Sequence, residues 1–334
     1  MKRIFLLTLL FSLYACGDEN ENTKKAEAPQ AEQVSPLAKY EKSGVEMALQ
    51  KVSEHVYYVQ GKAGIATDNE GFISNAAAII TNEGVVVVDA LGSPSLAALF
   101  LEKLKMITDK PVIKVIVTHY HADHIYGLQV FKEQGAEIIA PAGYLDYADA
   151  EIGKSRLEER RESLDPFVNE DTYIVKADRV LDKNTQMTVG DITLDIHYLG
   201  TAHSSGDLSV LVVNDAVLVS GDIIFEGRVP FTGGADTAHW LEVLEKLDNS
   251  NLKALIPGHG PAAKEPAEAI KLTLNYLKTV RTAMQEAVEN LMSFDEAYDL
   301  ADWSAFENLP AFGAAHRRNV YGVFLSLEAD SMSQ

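Results

Sequence analysis

Cysteine is all but missing from this chain: one residue, Cys16, in 334. A single thiol closes no disulfide within the chain, so stability must come from packing or from metal. Positive charge is scarce as well. Lys and Arg number 29 against 49 Asp and Glu, a formal net charge of −20. A phosphate backbone demands a basic surface, so nucleic acid is excluded as a partner, and adhesion to anionic lipid headgroups with it. Long apolar runs are also missing. The one candidate, residues 4–15, is too short to span a bilayer as a helix.

That short run has a different use. Lys2 and Arg3 precede it, and Cys16 closes it in "LYAC". A basic start, an apolar stretch and small residues before a cut are the marks of a targeting segment, here residues 1–15. "LYAC" resembles a bacterial lipoprotein box, in which the cysteine is acylated and becomes the mature N-terminus. An ordinary signal peptide that happens to contain a cysteine is the other reading. The first predicts an exported protein, lipid-anchored to a bacterial membrane on the periplasmic or cell-surface side. Its membrane contact would run only through Cys16. Residues 16–45 are polar, poor in large apolar groups, and predict a disordered linker.

With 47% hydrophobic residues the remainder is rich enough to bury a sizeable core. "NAAAIITNEGVVVVDA" (75–90) reads as two strands joined at Asn82–Gly84. Leu96, Leu99, Phe100, Leu104 and Ile107 share one face of a helix over 93–107. "VIKVIVT" (112–118) is a strand buried on both sides. A helix from His124 to Glu133 and the strand "AEIIAP" continue a β-α-β-α-β alternation, the sign of a layered α/β structure. Residues 144–168 are helical and charged, either a solvated insertion or a lid over a pocket. The second half pairs strands, "MTVGDITLDIHYLG" and then "DLSVLVVNDAVLVSGDII", turning at Asn214–Asp215. A helix over 237–247 and the strand "LKALIPG" follow, and from residue 265 the chain reads as helical.

Histidine is crowded in one place. Of nine in the chain, three fall with an aspartate in the six residues His119, Tyr120, His121, Ala122, Asp123 and His124, just after the 112–118 strand. Imidazole nitrogens and carboxylate oxygens are natural ligands of zinc and related divalent ions. One stretch supplies only part of a coordination shell. The rest are available at three other places: His203 in "GTAHSSGD", Asp222 in "VSGDII" and His259 in "IPGHGP". Each is expected on a glycine-flanked loop at the end of an apolar run. Among the other histidines, His197 reads as partly buried on a strand. His239 reads as a surface residue that could face the pocket, and His316 as helix packing.

"THYHADH", followed in order by His203, Asp222 and His259, resembles the T-H-x-H-x-D-H signature of the metallo-β-lactamase-fold hydrolases, over about residues 50–265. The resemblance implies an α/β fold, a four-layer αββα sandwich over residues 46–265 with a C-terminal helical extension over 266–334. It implies two zinc ions, with iron as the other possibility. His119, His121 and His203 would hold the first and Asp123, His124 and His259 the second, with Asp222 bridging. Asp89 matches a position that supports the metal loop from behind, or is simply a strand-end cap. Two dications beside two carboxylates keep enough positive potential to ionise a water near neutral pH. Asp123 would orient that nucleophile and relay a proton. The implied activity is hydrolysis of an ester, thioester, lactone or amide-type bond in a small molecule. "SGDIIFEGRVPFTGG" and the helical tail resemble most the zinc hydrolases associated with quinoprotein relays and sulfur oxidation. The other readings are a β-lactamase, a mononuclear iron dioxygenase and a non-catalytic binding lipoprotein. Oligomeric state is not legible.

Overall fold

The computed structural model describes residues 36–332; Cys16, the targeting segment and most of the expected linker lie outside the described residues. Two sheets form. The first holds β1 (Leu49–Lys51), β2 (Val56–Val59), β3 (Ala76–Ile80), β4 (Val85–Val88), β5 (Val112–Ile116), β6 (Glu137–Pro141) and β7 (Arg179–Leu181), paired in that order. β1 to β4 run antiparallel and β4 to β7 parallel. The second holds β8 (Thr185–Val189), β9 (Ile192–Gly200), β10 (Asp207–Val212), β11 (Val217–Phe225) and β12 (Ala254–His259), with β12 parallel to β11 and the rest antiparallel.

Strand alternation makes the layers. In β4, Val85 and Val87 pack toward the helices α1 (Pro94–Leu104), α2 (Ala122–Ile125), α3 (Leu128–Glu133), α4 (Gly143–Ala148) and α5 (Glu151–Leu164). Val86 and Val88 point the other way, into a core shared with Ile196, Val210, Val219 and Ile256 of the second sheet. In β12, Leu255 turns outward to α6 (Thr237–Lys246), α7 (Pro266–Glu289), α8 (Phe294–Leu300) and α9 (Phe312–Met332). Side chains two apart share a face, so a strand apolar at every position must be covered twice. The result is helices, sheet, sheet, helices: the αββα sandwich, with helices continuing to Met332.

Several expectations need correction. The helix expected over His124–Glu133 is broken at Tyr126–Gly127. Gly127 lies so close to Ala90 that a side-chain carbon there would come within 1.9 Å of the Ala90 carbonyl oxygen, and its N–H donates to Leu91 O. The C-terminal stretch is helical as expected, in three helices, α7 to α9. The linker expected to reach residue 45 ends earlier: Pro36–Lys39 form a 3-10 turn, and Leu37, Ser43 and Met47 are buried against the body. The charged 144–168 stretch is two helices, α4 and α5, of which Tyr144, Tyr147, Leu157 and Leu164 are buried.

Candidate metal centre

The site collects at the C-terminal ends of β4, β5, β9, β11 and β12. β5 releases the chain into Thr118, His119 and Tyr120; His121 then caps α2, which carries Asp123 and His124 in its single turn. His203 stands in the 201–206 loop between β9 and β10. His259 is the last residue of β12. Asp222 differs from expectation. It lies inside β11, not on a loop, in a stretch where pairing with β12 slips on both sides of Gly221. Two glycines make that stretch possible. Gly221 adopts φ +54°, and a side-chain carbon there would meet Thr118 at 2.6 Å. One at Gly258 would meet Asp222 Oδ1 at 1.9 Å.

Seven donors converge in two groups. His119, His121, His203 and Asp222 form one, and Asp123, His124 and His259 the other; within each, every donor atom is within 4.8 Å of the rest. His121 Nδ1 lies 3.0 Å from His119 Nε2 and 2.9 Å from His203 Nε2. Asp222 stands between the groups. Its Oδ2 is 3.3 Å from both His203 Nε2 and His259 Nε2 and 3.8 Å from His119 Nε2, and its Oδ1 is 3.2 Å from His124 Nε2. Asp123 Oδ2 is 3.3 Å from His259 Nε2 and 3.6 Å from His124 Nε2. His119, His124, His203, Asp222 and His259 are buried, while His121 and Asp123 are half-buried and form the accessible side.

The supporting bonds fix which nitrogen of each ring is free. Thr118 Oγ1 donates to Asp89 Oδ2, so the Nδ1–H of His119, 3.0 Å away, donates to Thr118 Oγ1. His124 Nδ1–H donates to Asp89 Oδ2 at 2.8 Å, and His259 Nδ1–H to Ile73 O at 2.7 Å. Each of these rings therefore aims its Nε2 lone pair inward. Asp89, with φ +63°, also accepts from Thr118 N at 2.7 Å. It is the rear support for both His119 and His124.

Lone pairs and carboxylates facing one another in a buried space repel unless a cation lies among them. His124 Nε2 and Asp222 Oδ1 face the centre and are buried without a hydrogen-bond partner. The titration behaviour reports the same tension. Burial pushes His119 well below the ordinary histidine range, and the charge of His124 adds to that. Burial and then His203 push His121 down to about 3. Burial also opposes charge on His124 and His259, but the carboxylates, Asp222 foremost, outweigh it and raise both. Asp123 and Asp222 are pulled below the usual carboxylate range against burial, by His124 first for Asp123 and His259 first for Asp222. Donors bound at about 2.0–2.2 Å in a tetrahedron lie about 3.3 Å apart, which the donor separations bracket. The donor set and its spacing fit two divalent cations.

Sequence reasoning missed several residues around the centre. Asp207, buried, closes the His203 loop by accepting from Ala202 N, Ser204 N and Ser204 Oγ at 3.2, 2.9 and 2.9 Å. Arg228 is buried beside His259, and its guanidinium has no carboxylate within ion-pair reach among the described residues; burial lowers its pKa. Phe225 stacks on His259 and Trp240 packs its edge on His203. Tyr120 and Phe231 flank His121, and Tyr120 stacks on Tyr147 of α4, so the charged insertion holds one wall. The only advance sign of these was proximity: Tyr120 lies inside the motif, and Asp207 four residues after His203. The remaining histidines stay out of the centre. His239 is tied to Thr201 O, His55 pairs with Asp215, His197 is half-buried on β9, and His316 is buried among the last helices.

The comparisons with known proteins agree with this geometry. The model of the metallo-beta-lactamase superfamily matches residues 69–259. A metallo-beta-lactamase type 2 of Elizabethkingia meningoseptica is 25% identical over 193 residues, covering 56% of this chain and 69% of that protein. One from Bacillus cereus is 24% identical over 196 residues, 57% and 68% of the two. The solved metallo-beta-lactamase from Pontibacter korlensis superposes with TM-score 0.54 at 18% identity, over 70% of this chain and 99% of that one. The inverting sec-alkylsulfatase Pisa1 from Pseudomonas sp. superposes with TM-score 0.65 at 16% identity, over 84% of this chain but half of its own length. Motif, sandwich and donor set thus coincide on one stretch of sequence, and the chain belongs to the metallo-beta-lactamase superfamily of metal-dependent hydrolases.

Proposed function

We propose that this protein is an exported, lipid-anchored hydrolase that uses two zinc ions to cleave an ester, thioester, lactone or amide-type bond in a small molecule. The observation that carries it is the convergence of seven donors, among which His124 Nε2 and Asp222 Oδ1 are buried and face inward without a hydrogen-bond partner. His119, His121 and His203 would hold one ion, Asp123, His124 and His259 the other, with Asp222 between. The pair would supply the positive potential that lowers the pKa of a water and polarises a carbonyl. The protein's own groups do the rest. Asp123, half-buried at the accessible side, orients the attacking water and carries its proton from Oδ to the leaving atom. Phe225 and Trp240 seal the rear of the centre against bulk water. Tyr120 and Phe231 give the substrate an aromatic wall, and we assign Arg228, buried beside His259, to an anionic group on it.

An aspartate at position 222, and the sequence "SGDIIFEGRVPFTGG", favour the quinoprotein-relay and sulfur-oxidation type of zinc hydrolase over the cysteine-bearing β-lactamases. β-Lactam hydrolysis is the second reading, favoured by the curated relatives, both metallo-beta-lactamases by name. The test is a panel of lactones, thioesters, β-lactams and sulfur-containing esters on zinc-loaded protein, with a chelator control and iron analysis. Chelator-sensitive turnover of an acyl substrate supports the proposal, and rapid nitrocefin turnover selects the second reading. Oxygen consumption with bound iron and no hydrolysis overturns both.

A further inference from the structure

A line of contacts reaches the second group of donors from outside the site. It begins on the segment before β1. There Ser43 Oγ donates to Glu70 Oε2 at 2.7 Å, and Gly44 N lies 3.1 and 3.3 Å from the two Glu70 oxygens. Glu70 is held at φ +54°, ψ 26°, a left-handed conformation that a side-chain-bearing residue adopts only when its surroundings require it. The five residues that follow spread over the centre. Phe72 is buried. Ile73 O accepts from His259 Nδ1, and Ser74 Oγ donates to Asp123 O. Asn75 Nδ2 donates to Pro257 O and Gly260 O, both at 2.8 Å, on either side of His259. Residues 70–75 therefore touch the backbone or ring of two of the three donors in the second group. The supports of two imidazoles of the first group lie elsewhere: His119 rests on Thr118, and His203 on the loop closed by Asp207.

We propose that Glu70 is a positioning residue through which the N-terminal segment 37–45 governs the second metal position and not the first. The inference rests on the two-metal reading above. The carboxylate grips the 43–44 turn and holds the left-handed kink that aims Ile73 O at His259. Without that acceptor the His259 ring loses the partner that fixes its tautomer and orientation, and Nε2 no longer faces Asp123 and Asp222. Ser74 and Asp123 shift with the same segment. The segment 37–45 has a second attachment, Lys39 and Tyr40 on Glu133, that does not involve residues 70–75.

The test is zinc titration of the metal-free full chain against a chromophoric chelator, with thermal unfolding as the check on folding. Wild-type protein takes up two ions in two steps. His259→Ala identifies one step and His203→Ala the other. Glu70→Ala weakens the His259-dependent step about tenfold and leaves the His203-dependent step unchanged. Glu70→Gly, which relaxes the backbone but also removes the grip, gives the same selective loss. Glu133→Ala, which removes the acceptor of the second attachment, moves neither step. Equal weakening of both steps in the Glu70 variants, or no change in either, overturns the inference while leaving the two-metal reading standing. Wild-type protein that takes up no zinc overturns that reading and the inference with it.

Discussion

Asp89 Oδ2 lies 2.8 Å from His124 Nδ1 and 2.8 Å from Thr118 Oγ1, so one carboxylate at the end of β4 orients donors of both groups. Replacing Asp89 by Asn keeps the size but loses the charge and half the acceptor capacity. The expected result is about a 10- to 100-fold loss of metal affinity with the fold retained, measured by chelator competition beside circular dichroism.

Asp207 does the comparable work for His203. Its carboxylate takes three hydrogen bonds within five residues of its own chain position, in a buried place where burial pushes its pKa up. Asp207→Ala strands the Ser204 N–H and leaves Ala202 N and the Ser204 hydroxyl with only Ser204 O and Gly206 O as acceptors. Denaturant unfolding is expected to show a loss of about 3 kcal/mol, and the His203-dependent metal should bind more weakly than the other.

Arg228→Ala tests the anion site. Arg228 is buried beside His259 with no carboxylate in ion-pair reach among the described residues, and we assign it to a charge on the substrate. kcat/KM for anionic substrates should fall about 10- to 100-fold, mostly through KM, since a hydrogen bond to a charged group contributes about 1.5–3 kcal/mol. A neutral analogue should lose little. Equal losses on both would assign Arg228 to holding His259 instead.

The centre was legible where its information is local. "THYHADH" holds four donors in one stretch, and His203, Asp222 and His259 each follow an apolar run beside a glycine, so strand ends meeting at one edge could be foreseen. The bulge that keeps Asp222 inside β11 was not, because it depends on Gly258 of another strand lying against the carboxylate. Gly127 looked like an ordinary helix position; only the Ala90 carbonyl packed against it breaks the helix. Arg228 carries no sign in sequence that it will be buried without an ion-pair partner among the described residues. The segment 36–45 reads as linker by composition, since Leu37 and Ser43 are too few to form a pattern, yet they are what dock it. The sheets were easier, because four consecutive valines in β4 leave only a strand covered on both faces.

His316 gives the molecule an acid-sensitive point remote from the centre. It is buried among Trp303, Phe312, Tyr298 and Tyr276, accepts at Nδ1 from the Tyr276 hydroxyl, and burial pushes its pKa down to about 4 from an ordinary 6.5. Arg317, its neighbour in the chain, is stacked over Tyr298 and Phe294 and paired with Asp295. A depressed histidine favours folding while neutral. Its contribution is complete above pH 6.5 and is lost as the pH falls through 6.5 toward 4, where the unfolded chain binds the proton first. Urea unfolding across that window should show wild-type stability declining more steeply than that of His316→Phe. Parallel curves would contradict the assignment.

Anomalous diffraction at the zinc edge, from crystals of zinc-loaded protein, tests the central claim most directly. Two peaks are predicted, one among His119, His121 and His203 and one among Asp123, His124 and His259, with Asp222 touching both. No peak at this cluster, or zinc held elsewhere on the chain, would contradict it.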